Sequence, residues 1–435
     1  MTRAPNVLIV LADQLRGQAL GCAGDPNVRS PSFDRLAAEG VLVERAFTTN
    51  PVCTPARAAL LTGRYPHTTG LIHNNLRLPE AEVTFAEVLR ERGYATGYIG
   101  KWHLDGEERP GFVPPGPRRQ GFDYWAAFNR GHRYWDSIYY RDTAEPIHQD
   151  GYEPDYQTDL ALEFIRGHRE GPFCLFLSWG PPHTPLDPPE AYRAPYDPGR
   201  LELRSNVPPA EAPRAGEELA GYYGHIAALD ANLGRLLDEL DRLGLAGRTL
   251  VVATSDHGDL LGSHGRYRKG SPLEESIRVP LLLRWPGEGR PAGGEHESPP
   301  ARGRPDVLAA SVDLAPTVLG LCGAPIPPGV QGRDLSPWLR GFDGPGGAAG
   351  PADGPQAVYL EGRMGRPDEW RAIRTRRHLL ATDLDGTATH LFDLEADPYE
   401  LTNLAGAPAA AAVEAALLRQ LQELAGATGD ARARI

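Results

Sequence analysis

The sequence is short of cysteine, of positive charge and of long apolar runs. Four cysteines occur in 435 residues: Cys22, Cys53, Cys174 and Cys322. Their scattered spacing excludes a disulfide framework and a zinc cluster. Lysine plus arginine number 45 against 57 acidic residues, a net charge of −12. A chain this acidic is not a general nucleic-acid binder. It is still open to an anionic ligand, because a cationic pocket fits within an acidic protein. The run Val7 to Leu11 is too short to span a membrane. Neither nucleic acid nor membrane is therefore expected as a partner. Asp13 follows that run, and no small-residue cleavage site does, so it reads as a buried strand rather than a signal peptide. A cytoplasmic location is the expectation. No internal repeat is visible.

What is present is ordinary globular composition, 41% hydrophobic and 23% charged. The length suits one large domain and one smaller one. Apolar runs read as strands over Val7–Leu11, Val41–Phe47, Tyr94–Ile99, Phe173–Trp179, Thr249–Ser255 and Leu281–Arg284. Helices are expected over Ser32–Glu39, from about Pro55, over Thr84–Arg92 and Tyr156–His168, and over Glu217–Leu243. The last carries Ile226, Leu229, Leu233, Leu236, Leu237 and Leu240 on one stripe. Residues 106–155 read as a long ordered loop region over a pocket, and 187–215 as irregular Pro-rich surface.

Residues 341–356 are mostly Gly, Pro, Ala and Asp, a linker by composition. Beyond it, Ala357–Leu360, Trp370–Thr375, His378–Thr382 and His390–Asp393 alternate like antiparallel strands, and a helix runs from about Pro408 to Leu424. The expected organisation is a domain over 1–340, a linker over 341–356 and a small subdomain over 357–435. The expected fold class is α/β, a mostly parallel sheet flanked by helices, with a small C-terminal α+β domain carrying a short antiparallel sheet.

Four strand ends present polar clusters: Asp13-Gln14, Lys101-x-His103, His183 and Asp256-His257. Such strand ends converge on one edge of an open sheet, where sites form. A single Asp or His there is usually a cap; four in one chain point to a shared pocket. The stretch Cys53-Thr54-Pro55-Ala56-Arg57, continuing to Leu61-Thr62-Gly63-Arg64, adds C-x-P-x-R and L-T-G-R. Cys53 has three readings: a buried structural thiol, a nucleophile of lowered pKa, or a residue set up for modification. No partner base lies near it in sequence.

The C-x-P-x-R stretch and the ordered clusters resemble the type I sulfatases of the alkaline-phosphatase-like superfamily. The segment Leu391 to Leu404, of the form L-x-D-L-x-x-D-P-x-E-x-x-N-L, extends the likeness to the C-terminal region. So does Asp256-His257-Gly258 through Lys269, Glu274-Glu275 and Arg278-Val279-Pro280. The resemblance implies an alkaline-phosphatase-like sheet. It also implies that Cys53 is oxidised to formylglycine by a formylglycine-generating enzyme, a partner during maturation.

The same resemblance implies a metal held by Asp13, Gln14, Asp256, His257 and the modified Cys53. Gln14 stands where aspartate is commoner and His257 where many members have asparagine, as in the choline-sulfatase and phosphonate-monoester-hydrolase branches. Two carboxylates with a neutral oxygen and a nitrogen point to a divalent cation, calcium first, with manganese or magnesium as alternatives.

In the chemistry so implied, a hydrated aldehyde attacks sulfur and then expels sulfate by elimination. His183 or Lys269 is the acid for the leaving alcohol, and His103 is the base. Lys101 and Lys269 neutralise the sulfate oxygens, and Arg57 orients residue 53 and the metal-bound oxygen. Asn74 and Asn75 are placed toward the leaving group. His132, Trp135 and Tyr139 are either cleft-lining or packing residues.

The leading expectation is a sulfatase acting on a small sulfate ester. The alternative is a phosphonate monoester or phosphodiester hydrolase on the same scaffold. A non-catalytic anion-binding protein is the reading from another class. Aryl, choline-like and sugar sulfates all remain open as the alcohol part, and so does the oligomeric state.

Overall fold

The computed structural model describes residues 4–286, 303–340 and 354–433. In chain order the strands are β1 (Asn6–Asp13), β2 (Val41–Leu42), β3 (Arg45–Phe47), β4 (Ala95–Lys101), β5 (Tyr124–Phe128), β6 (Trp135–Tyr139) and β7 (Ile147–Tyr152). They continue with β8 (Phe173–Pro182), β9 (Thr249–Ser255), β10 (Leu281–Arg284) and β11 (Leu308–Ala310). The last four are β12 (Ala357–Gly362), β13 (Trp370–Thr375), β14 (His378–Thr382) and β15 (Ala388–Asp393).

Seven of them form one sheet in the order β2-β10-β9-β1-β8-β4-β5. β9, β1, β8, β4 and β5 run parallel, and β10 is antiparallel to β9 and β2. β1 is central, and all eight of its residues are buried, the signature of a strand covered on both faces. Val7, Ile9 and Leu11 join one core, with Tyr98 and Phe176. Leu8, Val10 and Ala12 join another, beneath the helix Ala212–Arg242. The six stripe residues of that helix are 0% exposed. Helix Phe85–Glu91 starts where Thr84 caps Glu87 and Glu87 reciprocates, a capping box.

The strands β12-β13-β14-β15 make a separate antiparallel sheet. The helix Ala411–Thr428 packs on it through Leu417, Leu421 and Ala425. The same core takes in Phe47, Leu260 and Leu308 from the earlier chain, so the two regions share packing. Among the described residues no helix is long and apolar enough to cross a membrane.

Several expectations change. The region 106–155 is not one loop: it holds β5, an edge strand of the main sheet, and the antiparallel pair β6 and β7. Tyr124-Trp125-Ala126-Ala127-Phe128 had the apolar character of a strand, hidden among glycines and prolines. Val41–Phe47 is two strands, because the chain leaves β10 after Leu42 and pairs with β11 from Arg45. The helix Leu314–Leu321, apolar nearly all round, was not anticipated. Most of the expected linker, 341–353, lies outside the described residues.

Candidate active site

The site forms at the carboxyl edge of β1, β4, β8 and β9. β1 delivers Asp13, where the pairing with β8 slips register from Ala12↔Trp179 to Asp13↔Pro182. Gln14 then takes a positive φ of 69°. β9 delivers Asp256-His257-Gly258. A Cβ at Gly258 would stand 2.0 Å from the Glu275 carbonyl oxygen, so only glycine lets the two segments meet. Gly100, at φ 98°, makes a similar close approach to the Ser178 carbonyl, just before Lys101. The helix Cys53–Thr62 begins at Cys53 itself, two residues earlier than proline placement implied. Asn74 caps it, accepting from the Thr54 N–H at 3.0 Å.

Cys53 is 1% exposed and lies at the centre. Its Sγ is 3.2 Å from His257 Nε2, 3.3 Å from Lys269 Nζ and 3.8 Å from Asp13 Oδ1. Burial pushes its thiol up and Asp13 pushes the same way. Lys101, Lys269 and His257 outweigh both, and the thiol comes down to about 7. Arg57 does not orient residue 53 directly. Its guanidinium donates to Asp13 Oδ2 at 3.0 Å, to Asp256 Oδ2 at 3.1 Å, to the Lys101 carbonyl at 2.7 Å and to Ser178 Oγ at 2.8 Å. It fixes the two carboxylates instead. Lys101 Nζ lies 2.5 Å from Asp13 Oδ2. Burial favours protonating Asp13, but Lys101, His183, Arg57 and Lys269 hold its carboxyl well below the usual range.

Asp13, Cys53, Asp256 and His257 offer ligand atoms all within 4.8 Å of one another, and all four are buried. His257 Nδ1 lies 3.0 Å from the Gly258 carbonyl, which only accepts, so that nitrogen carries a proton. Nε2 faces Cys53 Sγ at 3.2 Å, Asp256 at 3.7 Å and Asp13 at 3.8 Å; burial lowers the ring's pKa, but Asp256 and Cys53 outweigh it and raise it. Two carboxylates and an imidazole nitrogen at this spacing fit a divalent cation. Gln14 Oε1 accepts from Lys269 Nζ at 2.7 Å, and its Nε2 donates to Asp259 Oδ2 at 2.5 Å. Its oxygen is thus already shared with a cation.

His103 is 3% exposed, at φ 61°, and both ring nitrogens lack a hydrogen-bond partner among the described residues. Burial and the charges of Lys101 and Arg57 depress its pKa well below the usual value, leaving a neutral imidazole. His183 Nδ1 donates to the Thr184 carbonyl at 2.8 Å, so its Nε2 is a free acceptor. Burial and Lys269 depress it too. His132 stacks on His183 at 3.6 Å between centroids and reaches Lys101 Nζ at 3.4 Å. Trp135 instead donates to the Asp187 carbonyl at 2.9 Å, and Tyr139 is buried against Tyr156. Asn75 Oδ1 accepts from the Arg130 guanidinium.

Cys53, Asp13, Gln14, Asp256, His257, Lys101 and Lys269 form one hydrogen-bonded cluster through Arg57. His183 reaches it through His132, and His103 through the Thr54 hydroxyl that donates to its carbonyl. Asp259, Ser178 and Arg130 were missed. Asp259 stood in the D-H-G-D run; Ser178 and Arg130 had no sequence signal.

Residues 5–324 match the family model described as Sulfatase. Residues 262–427 match the one described as N-sulphoglucosamine sulphohydrolase, C-terminal. An "Ulvan-active sulfatase" of Formosa agariphila is 40% identical over 414 residues, covering 93% of this chain and 78% of the relative. Human arylsulfatase A is 31% identical over 503 residues, covering 98% and 88%. Among solved structures, the Bacteroides fragilis protein described as the sulfatase yidJ has a TM-score of 0.87 at 30% identity, covering 99% of this chain and 97% of that one. The phosphonate monoester hydrolase of Agrobacterium radiobacter has 0.77 at 25%, covering 98% and 96%.

Proposed function

Because the chain belongs to the sulfatase family, as a sulfuric ester hydrolase of the alkaline-phosphatase-like superfamily, we propose that it works through an aldehyde formed from Cys53 beside a divalent cation. The observation that carries this is the position of Cys53 Sγ, within 4 Å of Asp13, His257 and Lys269 at the start of a buried helix. A simple thiolate nucleophile needs an open approach to its substrate. Cys53 has a base beside it in His257 but is 1% exposed, and it shares its surroundings with the two carboxylates of Asp13 and Asp256.

Asp13, Asp256 and His257 hold the cation, calcium first, with Gln14 alongside. When bound, the cation supplies Lewis acidity, lowering the pKa of an oxygen on residue 53. The aldehyde, installed by a formylglycine-generating enzyme, supplies a hydrate with two hydroxyls, one to attack and one to release sulfate. Arg57 keeps both aspartates turned to the same point. Lys101 and Lys269 bind the sulfate oxygens, where negative charge grows in the transition state. Burial first, and then Lys269 and Lys101, depress His183; an arriving sulfate offsets the lysines' part, and His183, protonated from solvent at Nε2, is the group placed to pass a proton to the leaving oxygen. His103, neutral and without a partner, accepts the proton whose loss releases sulfate.

A sugar sulfate is the substrate class favoured by the ulvan-active relative. The likeness to a phosphonate monoester hydrolase keeps that activity as the second reading. The test is a panel of sulfate, phosphate and phosphonate esters assayed on protein made with the modifying enzyme. Sulfate esters turned over with the highest kcat/KM support the proposal. Preference for phosphonate, or turnover that survives Cys53→Ala, overturns it.

A further inference from the structure

Arg57 faces two carboxylates, Lys101 faces Asp13, and Lys269 faces Gln14 and Cys53. Arg130 is different. It is 7% exposed, and among the described residues its guanidinium meets only the neutral Asn75 Oδ1. No carboxylate among the described residues pairs with it. A guanidinium has five N–H donors. Leaving such a cation nearly buried without a counter-charge is costly.

Its surroundings are built. The Arg130 N–H donates to the Pro110 carbonyl at 3.0 Å, and the preceding Asn129 carbonyl accepts from the His103 N–H. Asn129 Oδ1 accepts from Asp105 N at 3.0 Å, and its Nδ2 donates to Gly106 and Glu108. Two residues on, His132 touches Lys101 and stacks on His183. On the other side, Asn75 sits at φ 76°, a conformation asparagine tolerates better than most, next to the Asn74 that caps the Cys53 helix. The guanidinium therefore bridges the loop after β5 and the loop that caps the nucleophile helix. Three routes from it lead to the pocket: through the Asn129 carbonyl to His103, along the chain to His132, and through Asn75 to Asn74.

We propose that Arg130 receives a second anionic group of the substrate, so that the preferred ester has an alcohol bearing a carboxylate or a second sulfate. This rests on the sulfatase reading above. Asn75 is the positioning residue, turning the guanidinium toward the leaving group. Arginine suits either anion, because its planar fork pairs with two oxygens at once.

The test is calorimetric binding to the Cys53→Ala protein, which does not depend on turnover. The probes are glucose 6-sulfate, an O-sulfated glucuronic acid and glucosamine 2-N,6-O-disulfate; the last two separate carboxylate from sulfate. At least one doubly charged probe should bind about tenfold or more tightly than glucose 6-sulfate, the worth of one charge-assisted bond. Arg130→Gln in the same background should reduce that preference to within about twofold, and Arg130→Lys should retain part of it. Asn75→Ala removes the anchor but keeps the charge; it should weaken the preference severalfold, and it replaces R130Q if that variant does not fold. Equal affinity for all three probes, no binding of either doubly charged probe, or a preference that survives these substitutions overturns the proposal. Turnover of p-nitrophenyl sulfate, which has no second anion, tests the sulfatase reading separately.

Discussion

Arg57 Nη2 lies 3.0 Å from Asp13 Oδ2, with the two side chains 2% and 0% exposed. The same guanidinium holds Asp256. A lysine has one charged nitrogen and cannot copy the fork. Arg57→Lys should lower kcat about 10–100-fold, with a similar loss of metal affinity, the usual effect of removing a residue that orients ligands. Arg57→Ala leaves buried Asp256 without its guanidinium and Asp13 with Lys101 alone, and should cost ~3–5 kcal/mol in urea unfolding of the metal-free protein.

Mass spectrometry of the tryptic peptide Ala46 to Arg57 should show CHO in place of CH2SH on residue 53 when the modifying enzyme is present. The thiol alone should appear without it. Cys53→Ala should abolish turnover while leaving the melting temperature close to the parent's, because the helix keeps its Asn74 cap.

Chelation should abolish turnover, and adding calcium back should restore it better than magnesium or manganese. Elemental analysis should find about one ion per chain in the Asp13, Asp256 and His257 site. Asp256→Asn should lose the ion and the activity together. A fully active, metal-free protein would falsify the cation's role.

His67 gives a stability test away from the pocket. Its Nδ1 lies 2.8 Å from Glu361 Oε2 and its Nε2 3.0 Å from the Thr428 carbonyl, two acceptors. Both nitrogens therefore carry protons and the ring is a cation. Asp430 is nearby, and Tyr65 and Tyr359 pack on the ring. Burial lowers its pKa, but the Glu361 bond and charge and the Thr428 carbonyl outweigh burial and raise it. The stabilisation is complete below the unfolded value of about 6.5 and is lost as pH rises through the higher folded value. Between pH 6 and pH 9 the native protein should lose more melting temperature than His67→Gln.

Leu233 is 0% exposed on the long helix. Leu233→Ala should destabilise by ~2–5 kcal/mol, read by chemical denaturation. Unmodified metal affinity in the folded protein would separate this packing loss from damage at the site.

Much of the fold was legible because buried parallel strands are written as unbroken apolar runs. β9 and β10 begin and end where the residues imply. β5 escaped because five apolar residues among glycines and prolines resemble a packed loop. The pocket residues were legible by type and order: Asp13, Lys101, His183 and Asp256 each stand at or just past a strand end. Their partners were not. Gln14 with Asp259, and Asn75 with Arg130, are pairs 245 and 55 residues apart whose members carry no mark of each other.

By itself the amino-acid order determined the parallel sheet, the edge where polar groups gather and the C-x-P-x-R stretch at Cys53, since each is local in the chain. Only the folded chain decided that Arg57 serves the aspartates rather than residue 53, that His257 turns its Nε2 toward them, and that Arg130 has no counter-charge among the described residues. Those depend on which distant side chains are brought within hydrogen-bond reach, and strand pairing and glycine-permitted close approach set that.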